Sequence, residues 1–317
     1  MKSSNIGGQA VMEGIMMRHK DKYSIAVRRP DNEIELKVED YKCVFGNAKF
    51  LKYPLIRGVV SFVDSLVVGT KCLMYSAEIA GDEEDEEDKQ KNAALSEEEL
   101  AAKKAKEDKQ FKWLLYVTVA VSIVVSVAAF MLLPYALASL CRKVGASEFA
   151  VTIVEAFVKL ALFMGYMLLI SRMKDIQRTF MYHGAEHKCI NCIEHGLELN
   201  VENVRKSSKQ HKRCGTSFLF FVMIVSVIFC FFITAQSQVM RIVIRLALLP
   251  LIAGVSYEII KLAGNSDNPV VNLLSKPGMW VQNMTTKEPD DSMIEVAICA
   301  VEKVFDWREW QEKNNEL

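Results

Sequence analysis

Four of the five histidines in this 317-residue chain lie between His183 and His211, and Cys189, Cys192 and Cys214 fall in or beside the same stretch. Imidazole and thiolate are the usual ligands of zinc and related divalent ions. In His183-Gly184-Ala185-Glu186-His187 the two histidines stand four residues apart. On a helix both rings therefore leave one face and reach one ion. Glu186, beside that face, can act as general base toward the water that such an ion activates. The order H-x-x-E-H is the inverted zinc-peptidase pattern. His211, Cys214 or Glu258 can each supply a third ligand and leave one coordination position open.

The same residues also spell a different metal site. Cys189-x-x-Cys192 followed by His211-x-x-Cys214 has the spacing of a structural zinc site with three thiolates and one imidazole. That site would staple a loop domain and leave Glu186 idle. A third reading has no metal, only polar residues on the solvated face of a loop.

These residues sit among segments that belong in a membrane. Trp113 to Cys141 and Cys214 to Met240 contain no charged residue, and each exceeds the ~20 apolar residues that cross a bilayer. A wholly soluble domain is excluded. Lys+Arg and Asp+Glu number 39 each, so the net charge is zero and a nucleic-acid partner is not expected. Met1 to Gly14 has no apolar core of signal-peptide type. Four spans are expected: Trp113 to Leu133 ended by Pro134, about 149–170, about 216–235, and about 240–263. Between the second and third, residues 171–215 carry nine Lys/Arg, so this loop and both termini are expected in the cytosol.

The other segments are plainer. Ser24–Arg28 and Glu33–Glu39 flank Pro30-Asp31-Asn32 and alternate as a hairpin does. In Tyr53–Ala80 the charges Arg57, Asp64, Lys71 and Glu78 recur every seven residues. They form one narrow stripe of a long helix, which either lies on the membrane or dips into it. Asp82 to Asp88 is wholly acidic, and 81–110 reads as a flexible linker. Near the C-terminus, Pro289 suits a first helical turn, and Ile294, Ala297, Ile298, Val301, Val304 and Phe305 make an apolar stripe.

Four blocks resemble one known family, the YqhQ-like bacterial membrane proteins. They are Gly7-Gly8-Gln9-Ala10-Val11-Met12-Glu13-Gly14, Tyr182–His187, His211–Phe218, and Pro277–Gln282 with Thr285–Asp291. The resemblance runs from about residue 5 to residue 305, apart from the acidic segment. It implies a domain of unknown function labelled a metal-dependent enzyme. It includes the positions of His183, Glu186, His187, His211 and Cys214 and does not require Cys189, which favours the catalytic site over the structural one. Gln9 and Glu13, four apart if helical, are candidates to line that site, with Cys189, Cys192 and Glu258.

The expected fold is mainly α: a polytopic membrane protein with about four transmembrane helices, a long amphipathic helix, a small β-rich N-terminal piece and a cytosolic His/Cys loop domain. The expected segments are 1–52 (β-rich), 53–80 (amphipathic or membrane-dipping), 81–110 (linker), 111–140 and 148–171 (spans), 172–215 (the His/Glu/Cys domain), 216–263 (two spans) and 264–317 (cytosolic helix). The expected function is a zinc-dependent hydrolase at the cytosolic face of the bacterial inner membrane. Glu186 is its base, His183, His187, His211 and Cys214 are its ligands, and its substrate is a peptide or, second, a lipid-linked molecule. The lipid bilayer and other membrane proteins are the expected partners. The alternatives are a membrane scaffold or assembly factor with a structural metal, and a transporter built on ionisable residues such as Glu258.

Overall fold

The computed structural model describes residues 3–46, 48–81, 97–233, 237–266 and 268–315. The chain is mainly helical, with one small antiparallel sheet near the N-terminus. It divides into two compact units, Met1–Ala80 with Gly165–Leu317, and Gly81–Met164.

The first unit is built on a meander of β1 (Gly7–Val11), β2 (Gly14–His19), β3 (Lys22–Arg28) and β4 (Ile34–Asp40), paired in sequence order. The β3–β4 hairpin is where the alternation places it, pairing Arg28 with Ile34 and Lys22 with Asp40. The first hairpin overturns the helical spacing of Gln9 and Glu13. Gln9 lies in a strand and Glu13 in the two-residue turn that follows, with Val11 opposite Gly14. Glu13 takes a positive φ of 48° there. Gly14 is required, because a Cβ would stand 2.3 Å from the carbonyl oxygen of Ala26.

Period-two alternation sends the two faces of the sheet into different cores. Ile15, Met17 and Ala26 pack with α5 (Lys174–Glu194), α6 (Val201–Lys206), α10 (Asp291–Glu302) and Trp307, the first residue of α11 (Trp307–Asn315). Met16, Tyr23, Ile25 and Val27 pack with Val68 and Cys72 of α1 (Ile56–Ala80). α1 is long and apolar enough to cross a membrane, yet its second half lies against the sheet. Its first half runs beside α8 (Gln238–Gly264), where Arg57 pairs with Glu258. Glu258 is thereby spent on an ion pair between helices.

The remaining apolar helix of this unit, α7 (Gly215–Phe231), has 17 residues. At 1.5 Å per residue it spans roughly 26 Å, short of the ~30 Å hydrocarbon core. Among the described residues, the four helices that meet the length and composition of a span are thus α1, Tyr116–Lys143, Glu148–Ile170 and Val239–Gly264. The count equals the expected one, but the membership differs. α9 (Pro269–Thr285), which the sequence pattern did not announce, packs against α7. α10 starts on Asp290, whose carboxylate accepts from the Met293 N–H at 2.9 Å. Pro289 therefore precedes the N-cap instead of occupying the first turn.

In the second unit, α2 (Glu97–Val127) passes through a π-helical turn, Ala128–Leu132, into α3 (Leu133–Lys143). Pro134 does not end this span. The wide turn before it accommodates the missing N–H and the ring, as π-bulges do. The first part of α4 (Glu148–Ile170) follows, and Arg142 and Glu148 pair across the turn at 2.8 Å. Of the expected linker, 82–96 lies outside the described residues; from Glu97 the chain is helical, as its run of Glu, Lys and Ala favours.

A candidate metal centre on a buried helix

Helix α5 has no solvated face where the chemistry lies: every position from Gly184 to Glu194 is buried. β1 and β2 flank it on one side and α10 on another. It approaches the chain after α9 closely enough that a Cβ on Gly184 would stand 2.0 Å from the carbonyl oxygen of Lys287. Lys287 N–H in turn donates to the carbonyl of Phe180 at 2.9 Å.

Its polar side chains shape the segment that carries Cys214. Lys188 donates to the carbonyls of Arg205 and Ser207 and to the carboxylate of Glu288, each at 2.9 Å. All three of its protons are used. Asn191 donates to the carbonyls of Ser208 and Gln210 at 2.7 and 2.9 Å. Gln282 of α9, fully buried, accepts from the His211 N–H at 2.9 Å and donates to the His211 carbonyl at 2.8 Å. The strap from 205 to 214 is thereby fixed, and Cys214 arrives as the N-cap of α7, where its sulfur accepts from the Thr216 N–H.

His183, His187 and Cys214 bring one ligand atom each to within 4.8 Å of one another. Both rings are turned by backbone carbonyls: His183 Nδ1–H donates to Thr285 at 2.8 Å and His187 Nδ1–H to Lys209 at 2.7 Å. These bonds hold the Nδ1 protons on the carbonyls and turn each Nε2 toward the group, the orientation that metal-binding histidines use. Nε2 of His183 stands 3.3 Å from Sγ of Cys214. A nitrogen and a sulfur sharing one tetrahedral zinc stand about 3.6 Å apart on ordinary bond lengths. The donor set fits a divalent ion.

The electrostatics agree with the geometry. Burial alone would push the Cys214 thiol up, but the imidazoles of His183 and His187 outweigh it and hold the thiol well below its ordinary value. A helix N-terminus favours the same thiolate. Burial opposes charge on His183, and the adjoining thiolate reverses this and raises it. Glu186 is buried beside the group, and burial raises its carboxyl above the usual range despite both imidazoles. The backbone of Gly8 offsets a small part of that rise. A Cβ on Gly8 would stand 2.8 Å from Cγ of Glu186, so only glycine lets β1 approach so near. The first glycine-rich block thus touches the site through Gly8.

The structure does not bring the other candidates into the group. His211 lies next to His187, with ring centroids 5.7 Å apart, but its Nε2 faces Glu194 at 3.5 Å. Gln9 abuts Gly69 of α1. Glu13 pairs with Arg178 and accepts from Tyr182. Cys189 and Cys192 are buried in the hydrophobic core. Burial pushes both thiols up, that of Cys192 to about 11. The four-ligand structural site is not assembled, because Cys214 turns to His183 and not to these two. None of the eight cysteines forms a disulfide.

Glu194 went unnoticed in the sequence. It accepts from Ser4 N–H and hydroxyl at 2.7 Å and pairs with Arg213 at 2.5 Å. Burial would raise its carboxyl, but His211 and Arg213 hold it down at about 2. A signal was present: His183, His187, Asn191 and Glu194 recur along one face of a helix.

Residues 53–307 match the family described as "Protein of unknown function (DUF1385)". The chain is also 35% identical over 321 residues, covering 97% of it and 94% of its relative, to a Bacillus subtilis (strain 168) protein described as "Uncharacterized protein YqhQ". The chain therefore belongs to this YqhQ-like family of unknown function, and neither description states an activity or a metal. No solved structure matches it.

Proposed function

We propose that this protein is an integral membrane, metal-dependent hydrolase with its centre at the cytosolic face of the bacterial inner membrane. One observation carries this reading: two imidazoles, each locked through Nδ1, and one thiolate converge within 4.8 Å beside a buried carboxylate. Among the described residues three ligands converge, which leaves a tetrahedral ion one position for water, as catalytic zinc sites do. A divalent ion, zinc by this donor set, supplies Lewis acidity there.

The rest of the chemistry falls to the protein. Glu186 accepts the proton of the attacking water and returns it to the leaving group as the scissile bond breaks. Its raised proton affinity suits both halves of that task. Gly8 packs against the carboxylate's side chain, and Thr285 and Lys209 hold the imidazoles. Cys214 caps an apolar helix, which supports a centre at the edge of the hydrocarbon, and the nine Lys/Arg of 171–215 support the cytosolic side.

Metal analysis of the detergent-purified protein tests the reading. We expect about one zinc per chain in wild type and in Glu186→Gln, and almost none in His187→Ala. Hydrolysis by Glu186→Gln should fall by about 10²–10⁴. Wild type without metal would overturn the proposal and leave a scaffold.

A further inference from the structure

A cavity of about 690 Å³ opens between β1, the first half of α1 and the last turn of α8. Arg18, His19, Lys20, Arg213 and Lys261 line it, and no carboxylate does among the described residues. The carboxylates behind its wall are engaged elsewhere. Asp64 accepts from Tyr41 and Val44, Glu258 pairs with Arg57, and Glu194 takes one edge of Arg213. Arg18 is stacked over the ring of Tyr41 at 3.3 Å, which holds it in place without neutralising it. Ser61 and Ser65, one turn apart on α1, add hydroxyls. Cations in excess, hydroxyls and the β1 backbone are the donors that a phosphate ester needs.

The surroundings say how that phosphate arrives. The cavity lies where the apolar helix α8 ends and the polar sheet begins. Beside it, Phe62 and Leu66 of α1 and Leu262 of α8 are exposed. Exposed apolar side chains next to a basic cavity suit a molecule with a charged head and hydrocarbon tails. The cavity also adjoins the candidate centre, because Gly8 lines it and packs against the side chain of Glu186, and Arg213 precedes Cys214.

We infer that this cavity binds the phosphate-ester headgroup of an anionic membrane amphiphile, which makes a phosphate-bearing lipid the substrate class of the neighbouring centre. As a substrate assignment this rests on the metal-dependent reading; as a binding site it stands alone.

The test uses the full chain in detergent micelles, titrated calorimetrically with dihexanoyl phosphatidic acid, dihexanoyl glycerol or inorganic phosphate, with zinc assayed on the same samples. The expected result is phosphatidic acid bound at least about 10-fold more tightly than the other two probes. In the Lys20→Gln/Lys261→Gln double variant the affinity should fall by about 10-fold or more, with melting temperature and zinc unchanged. Lys313→Gln, a surface control, should bind as wild type. Arg18→Gln serves as a second variant from the cavity wall. Equal affinity for inorganic phosphate would overturn the amphiphile in favour of a soluble anion. Undiminished binding by the double variant and by Arg18→Gln would overturn the site. Selective lipid binding without zinc would sink the metal reading and spare the cavity; zinc without selective binding would do the reverse.

Discussion

Helix α5 carries two buried polar clusters a few turns apart, and they are built on opposite terms. Around Glu194 every charge has its answer: Ser4, Arg213 and His211 surround the carboxylate, and Arg213 is seated over Gly264. Around His183 the second nitrogens are satisfied, but the atoms that converge, two Nε2 and one Sγ, meet mainly one another. Burying polar atoms that lack complete partners costs free energy. A fold that answers one cluster with charged partners and lets donor atoms converge at its neighbour fits the metal site proposed above. On the proposed reading the closed cluster is scaffold and the open one is site.

That contrast can be broken at either end. The largest effect is expected for Cys214→Ala, which should take zinc from about one per chain to almost none while the melting temperature of the metal-free protein changes little. Glu194→Ala should do the opposite. Taking the buried carboxylate from Ser4, His211 and the half-buried Arg213 costs about 2–3 kcal/mol, a fall of roughly 5 °C in a thermal melt, with zinc retained. Zinc lost along with that stability would show that the two clusters are one site.

A smaller effect is expected with acid. Glu194 is held at about 2, against an ordinary 4.5. Its contribution is therefore complete above the ordinary value and disappears as pH falls through the depressed one. Melts on either side of that window should show wild type losing more stability than Glu194→Gln; parallel losses would contradict the assignment. The smallest expected change is in His211→Asn. A neighbour that only buttresses the group should weaken zinc by no more than about 10–100-fold. Complete loss of zinc would make His211 a ligand and move the boundary between the clusters.

What was legible in the sequence depended on whether an element keeps one wet face. β3 and β4 alternate visibly because β4 is partly exposed. β2 is buried on both faces, with Ile15, Met16 and Met17 in two different cores, so the first hairpin shows no alternation and its glycines suggest a loop. The donor types that converge, the imidazoles of His183 and His187 and the thiol of Cys214, were readable as residue types. The division of labour was not. Cys189 and Cys192 have metal-site spacing but point into hydrocarbon-like packing, and His211 has ligand chemistry but an acidic partner. Only the strap from 205 to 214, folded back by Lys188, Asn191 and Gln282, decides which sulfur meets which ring, and no local pattern encodes that.

A helix enclosed on every side has a further consequence for how this segment tolerates change. Scanning substitutions from Gly184 to Glu194 should show no 3.6-residue rhythm of permissive positions, since every residue there is buried. Labels and crosslinkers meant to report on the centre are better attached at the exposed strap positions Arg205, Lys206 and Ser208, where a new side chain displaces solvent and not packed atoms.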